Sequence, residues 1–564
     1  MANNNYNYKI QKNNITLPLI NEIEEYVEGI LDNNIPQIQY SSYIDFYENG
    51  IRKSFEDTYF ERRKQLTALG FYLQFNNSKK AISYFKELLW SISNEFSWCL
   101  AAHLEYDDNG LIDGADKNID LFSAETAQTL SELVLIHKDK LDNILINHIK
   151  RKIKDNVINP FLNREFHWET ATHNWSAVCS GCIGITALLL EQGERLQSII
   201  NRVENALKYY LSGFGSDGVS LEGIGYWTYG FGYYIYYKAL RGEKLSQSEI
   251  EKLIAIANFP QRVQISAKEF VPFSDVTPNM ELPSGLISYL YENYDIKVPY
   301  IKEITSFNFD HCYRWAHISR NLWWTTDKIF NIELKSDKNY FSEAQWFTLR
   351  DNNLFFAIKG GNNNEPHNHN DLGSFIIAVD GKLVITDLGA GPYTAGYFGS
   401  ERYNYDHTRS YYHSVPLINE SEQQCTKCNC KIEYLSNIDS EIDLKLDISK
   451  GYKSDEIENV TRRVNYKYSD RVIEINDFVR SRNRVSINDG FISYIEPKIF
   501  EDGIILWNLT DKYLKLKYDN TSFDINVEKK EIKNHYNESI TVYRLGLINS
   551  SSKIFDGSFK FYIE

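Results

Sequence analysis

The chain has 564 residues, of which 43% are hydrophobic and 24% charged, and a formal net charge of −15. That length exceeds what a single hydrophobic core organises, so two or more domains are expected. The acidic balance argues against a protein that grips nucleic acid along its backbone, and no apolar run is long enough to span a bilayer. A polyanion could still bind wherever one cleft is locally positive, because a cleft focuses its own field.

The first residues, Met1–Asn14, have neither the apolar core nor the small-residue cleavage site of a signal peptide. As written, the protein is expected in the cytoplasm. It would be secreted or periplasmic if a signal had stood in front. Apolar residues at spacings of three and four then predict helices over 54–76, 79–100, 121–137, 192–212 and 245–258. Gly213 and Gly215 are expected to close the fourth of these. Near residue 335 the period changes, and from Trp346 onward short alternating runs dominate. The runs 373–379 and 382–386 flank Asp380-Gly381, a two-residue hairpin signal. A second hairpin pair is expected at 461–468 and 471–478. Helices followed by strands predict a helical domain over 1–335 and an antiparallel β domain over 336–564. No strict repeat or low-complexity linker interrupts them.

Seven cysteines, an odd number spread over a long chain, argue against a disulfide framework and fit a reducing compartment. Cys179 with Cys182, and Cys425, Cys428 and Cys430, could be read as thiolate ligands. The second group falls in an expected turn with no other conventional pair close in sequence. Forty tyrosines and ten tryptophans accompany a chain rich in Asn, Lys and Ile, so aromatic content alone says nothing about sugar stacking.

The densest polar cluster is His367-Asn368-His369-Asn370-Asp371. If extended, residues 367, 369 and 371 point to one side. Asp387 and His413 follow. Two imidazoles and a carboxylate suit zinc or a similar ion; the alternative is a polar loop whose histidines bond to backbone. His173-Asn174-Trp175 opens an apolar helical run. The run Glu222–Gly230 carries Tyr226 and Tyr229, which share a face if helical. Each of these could also be plain helix packing.

Together the motifs resemble the heparinase II/III-like lyases. Asn174-Trp175, the Glu222-Gly223…Gly225-Tyr226-Trp227…Tyr229-Gly230 run and His367…His369…Asp371 carry the resemblance. So do Thr386–Gly389, Ser410…His413 and Asp120–Ala127, and the similarity runs from about residue 90 to 424. It implies an incomplete (α/α) toroid joined to an antiparallel β-sandwich. It also implies β-elimination on a uronate-bearing polysaccharide or oligosaccharide, glycosaminoglycans first and alginate second. By resemblance, Asn174 stabilises the uronate carboxylate as charge builds, and Tyr229 is the base, with Tyr226 its rival. A free tyrosine has a pKa of about 10, so nearby positive charge must favour the phenolate. His367 is the natural partner, as base or neutraliser. Trp175, Glu222, Tyr226, Arg402 and Arg409 fall to substrate binding. Arg402, His407 and Arg409 could supply local positive charge, or belong to a solvated loop. His369, Asp387 and His413 map onto the ligands of one divalent ion of structural character, zinc first, with manganese and calcium left open.

Two other classes compete. A glycoside hydrolase needs two carboxylates flanking the bond, for which Asp217 and Glu222 could be proposed. A non-catalytic glycan-binding protein would leave the base idle. No nucleic-acid or membrane partner is expected. The polymer, endo or exo action and the oligomeric state are left open.

Overall fold

The computed structural model describes residues 8–10, 12–365, 367–394, 396–399, 401–425, 427–434 and 440–564. Residues 1–7, on which part of the signal-peptide reading fell, lie outside the described residues, as does Thr426 of the cysteine-rich turn. Two compact units divide the chain. The helical unit takes 1–214, 226–257 and 281–332; the β unit takes 215–225, 258–280 and 333–564. The units are therefore interleaved in sequence. No helix among the described residues is long and apolar enough to cross a membrane.

The helical unit is an incomplete (α/α) toroid. Its helices are α1 (Leu17–Ile30), α2 (Tyr40–Asn49), α3 (Lys53–Phe75), α4 (Lys79–Ser93), α5 (Leu121–Ile136), α6 (Asn143–Ile153), α7 (Asn174–Leu190), α8 (Gly193–Ser212), α9 (Gly232–Arg241), α10 (Gln247–Ala257), α11 (Ser284–Asn293) and α12 (Trp315–Trp324). Helices α5 and α7 are buried on nearly every face. Their small and apolar residues run all round rather than along one stripe, the pattern of a helix enclosed by others. α12 packs on α5, where Arg320 and Glu132, both 0% exposed, pair at 2.7 Å. The Trp315 indole also donates to Glu132, so this buried charge has the partners it needs.

Helix α4 ends at Ser93, not near 100. Asn94 turns its backbone N–H onto the Trp90 carbonyl, and the buried Trp98 indole donates back to the Ile92 carbonyl at 2.9 Å. That bond folds the chain against the helix end, and residues 101–103 form only a short turn. Gly213 closes α8 without a left-handed cap; its φ is −72°.

In the β unit five antiparallel strands form a meander: β1 (Asp337–Phe341), β2 (Trp346–Asp351), β3 (Leu354–Lys359), β4 (Phe375–Val379) and β5 (Lys382–Ile385). The β4–β5 turn has Asp380 at φ 51° and Gly381 at φ 76°. Both central residues are left-handed, which matches the right-handed twist of a tight hairpin. Among the described residues the second sheet has ten strands. Its centre pairs β10 (Val472–Ser493) with β9 (Ile457–Lys467) on one side and β15 (Ser539–Ile563) on the other. The expected pair at 461–468 and 471–478 falls on β9 and β10, with 468 and 471 in the turn between them. Phe347, Phe356 and Phe375 of the small sheet share one core with Leu444, Ile475, Trp507 and Phe561 of the large one. This is an antiparallel β-sandwich, in which β2, β3 and β4 are buried along their whole length.

Candidate active site

In the helical unit, Asn174 opens α7 and is 3% exposed. Tyr229 lies in a single π-helical turn over Trp227–Phe231 that runs into α9, a local widening common at functional positions. Gly230 makes the placement possible. A Cβ there would stand 3.1 Å from the Asn174 Cα and 2.8 Å from the Tyr210 hydroxyl, so a side chain would push the turn carrying Tyr229 off the start of α7. The Tyr229 hydroxyl is buried without a hydrogen-bond partner of normal geometry. The Arg314 guanidinium lies 4.0 Å over its ring and donates to Glu125 at 3.1 Å and Asp310 at 2.6 Å. Burial, then the Glu125 carboxylate, push the Tyr229 phenol well above its ordinary range, with Arg314 opposing. Burial also raises Glu125 to about 7, against the pull of Arg314. The positive charge foreseen for a phenolate is thus present, but it is outweighed, and the resting phenol keeps its proton.

Trp175 is half-buried, its ring 5.1 Å from His103 and 5.5 Å from His167. His103 meets Asp120 at 2.8 Å, and Asp120 also caps α5 by accepting from the Ser123 N–H at 2.7 Å. Tyr226 is half-buried just before the π turn. Sequence reasoning passed over Glu125, although it lies within the quoted segment 120–127. It missed Arg314, which belongs to no motif.

In the β unit, residues 367–371 are not a strand, and His367 has a left-handed φ of 57°. The expected extended face therefore does not form, and the two histidines diverge. His367 places Nδ1 2.7 Å from Asp275 and Nε2 3.5 Å from Glu222. His369 instead joins Asp387 and His413, and these side chains with Asp371 form a wholly buried group whose donor atoms lie within 4.8 Å of one another. His413 Nδ1 donates to the Arg409 carbonyl at 2.9 Å, and His369 Nε2 faces Asp275 at 3.1 Å. These contacts leave lone pairs on His413 Nε2 and His369 Nδ1, which face each other at 3.2 Å. Asp387 Oδ2 stands 3.3 Å from His413 Nε2, and Asp387 Oδ1 3.8 Å from His369 Nδ1. Two imidazoles and one carboxylate converging in a buried place could hold a zinc-like divalent ion. Asp371 is already held by Lys359, at 2.7 and 3.0 Å.

Asp275 was missed, because a buried acid in a loop carries no periodicity. Arg402 pairs with it at 3.0 Å and donates to the Asn368 carbonyl. Arg409 pairs with Glu422. Burial lowers His407 to about 4, so it is neutral near pH 7. Asp217 accepts the Glu343 backbone N–H at 2.9 Å. All seven cysteines are free. Among the described residues no thiolate cluster like that read into Cys425–Cys430 forms; Cys312 does lie beside Asp310 and His311, but Asp310 is engaged by Arg314.

Residues 333–488 match the family Heparinase II/III-like, C-terminal. No curated protein matches the sequence. Among solved structures, a heparinase III with methylated lysines superposes with a TM-score of 0.64 at 13% identity, covering 99% of this chain and 85% of that one. A heparan sulfate lyase from Pedobacter heparinus gives 0.62 at 11%, covering 99% and 85%. A chondroitin AC lyase from Streptomyces coelicolor A3, in complex with chondroitin sulphate, gives 0.57 at 9%, covering 97% and 79%. Residues 333–488 thus carry a heparinase II/III-like C-terminal domain, on a fold that these solved structures share along nearly the whole chain.

Proposed function

We propose that the protein is a polysaccharide lyase that cleaves a uronate-bearing glycosaminoglycan by β-elimination and leaves an unsaturated uronate. The observation that carries this is the Tyr229 hydroxyl, buried beside the Glu125–Arg314 pair with the Arg314 guanidinium over its ring. A hydroxyl held there suits proton transfer to a departing glycosidic oxygen. Asn174 is assigned to the uronate carboxylate, where an amide donor stabilises developing charge without adding its own. His367 is assigned to proton removal. The activities named for the similar solved structures, on heparan and chondroitin sulfate, support the substrate class.

His369, Asp387 and His413 would hold one divalent ion, zinc by the donor set. The ion supplies a fixed positive charge that joins three buried side chains. Purified protein is expected to carry about one equivalent by elemental analysis without added metal. His369→Ala should retain only a small fraction of that and melt at lower temperature, because binding free energy to a structural site is also folding free energy. Metal-free wild-type protein with an unchanged melting temperature would remove the ion from the assignment.

Incubation with heparan sulfate, chondroitin sulfate, hyaluronan and alginate, followed in the ultraviolet, tests the reaction. A conjugated double bond from a glycosaminoglycan is the expected result. Absorbance with alginate alone would move the substrate class. New reducing ends without absorbance would mean hydrolysis, and neither signal would mean a binding protein.

A further inference from the structure

Asp275 has been given no part in the reaction so far. It is 3% exposed and follows Ser274, whose φ of 65° is left-handed. Four donors converge on its carboxylate. Oδ2 receives His367 Nδ1 at 2.7 Å and Arg402 at 3.0 Å; Oδ1 receives Tyr397 at 2.7 Å and His369 Nε2 at 3.1 Å. An ionised carboxylate can only accept, so each histidine must carry hydrogen on the nitrogen that faces it. For His367 this fixes the ring with Nε2 turned away from Asp275, 3.5 Å from the Glu222 carboxylate. For His369 it turns the lone pair of Nδ1 toward His413 and Asp387. One oxygen serves each histidine, and Arg402 and Tyr397 stop the carboxylate from rotating.

We infer that Asp275 is a positioning residue shared by two histidines with different tasks, setting His367 for proton exchange and His369 for metal binding. A change in the metal site is thereby transmitted to His367 through a single carboxylate. The inference rests on the lyase reading and its metal site. A residue that only filled space would show neither a metal phenotype nor rescue by a free carboxylate.

The test uses the full chain, with Co(II) as the probe metal, and compares wild type, Asp275→Ala and Asp275→Asn. Removing a partner of this kind from a metal-bound histidine typically costs about 10–100-fold in metal affinity or activity. Asp275→Ala should therefore bind Co(II) about 10–100-fold more weakly in chelator competition, with an altered visible spectrum. Its kcat should fall by at least as much while KM changes by less than about threefold, and added formate should restore part of both. Asp275→Asn keeps the shape and should show the same losses, which covers an alanine variant that fails to fold. Wild-type Co(II) affinity and spectrum in either folded variant would overturn the inference alone. So would a drop in both properties that formate leaves untouched. Wild-type protein that takes up no Co(II) would remove the metal reading, and this inference with it. Wild type that takes up Co(II) but forms no unsaturated product would remove the lyase reading and the role given to His367.

Discussion

Tyr229→Phe is expected to fold like wild type and to lose about 10²–10⁴ in kcat, the range for a positioned proton-transfer group. The fold should survive because Glu125, the carboxylate the hydroxyl approaches, keeps its Arg314 donor at 3.1 Å and is not left unsatisfied. The ring keeps both its contacts, with the Arg314 cation 4.0 Å from its centre and with Tyr233 edge-on at 5.8 Å. Binding should change little, so KM should stay within a few fold. Tyr226→Phe, outside the π turn, should retain most of its turnover. Steady-state kinetics with thermal melting decides the matter. Near-normal turnover in Tyr229→Phe would dismiss the phenol, and a reversal of the two variants would hand its role to Tyr226. Burial and Glu125 raise the phenol, and in the proposed reaction it gives a proton before it can take one.

Asn174→Ala should cost about 10²–10³ in kcat, as removal of one donor aimed at developing charge typically does. Elimination builds negative charge beside a carboxylate that is already negative. An amide donor strengthens its bond as that happens, so the loss should appear in kcat more than in KM. Asn174→Asp should be at least as poor, because it sets one negative charge against another. Near-normal kcat with a raised KM would show ordinary ground-state binding and take Asn174 out of the reaction.

Much of the fold was legible because periodicity is local. The change near residue 335 marked where β1 begins at Asp337, and Asp380-Gly381 announced its turn because few residue pairs accept two left-handed conformations. The end of α4 was not legible, since the Trp98 indole that closes it bonds back six residues to the Ile92 carbonyl, a contact no periodicity announces. The interleaving of the units was equally hidden: 258–280 is too short and irregular to declare which core it joins. At the site, His369, Asp387 and His413 could be grouped by residue chemistry and did come together. Arg314 and Asp275 could not be, because their importance comes from what packs against them. The spacing of His367 and His369 misled for a definite reason: the left-handed φ at His367 breaks the alternation that the spacing assumed.

The pairing of β10 with β15 bears on the order in which the molecule assembles. Their pairs run from Ser493 with Tyr543 to Val472 with Tyr562, so the middle of the large sheet joins residues about fifty to ninety apart. The helical unit is complete in sequence by residue 332, whereas the β unit draws on residues from 215 onward and needs the strand that ends at Ile563. During synthesis the helices can close first, while 215–225 and 258–280 wait for partners not yet made. Distant pairings of this kind are slow because loop closure precedes any gain from contact. Pulse-labelled hydrogen exchange on refolding protein should therefore protect α5 and α7 before β10, and earlier protection of β10 would refute that order.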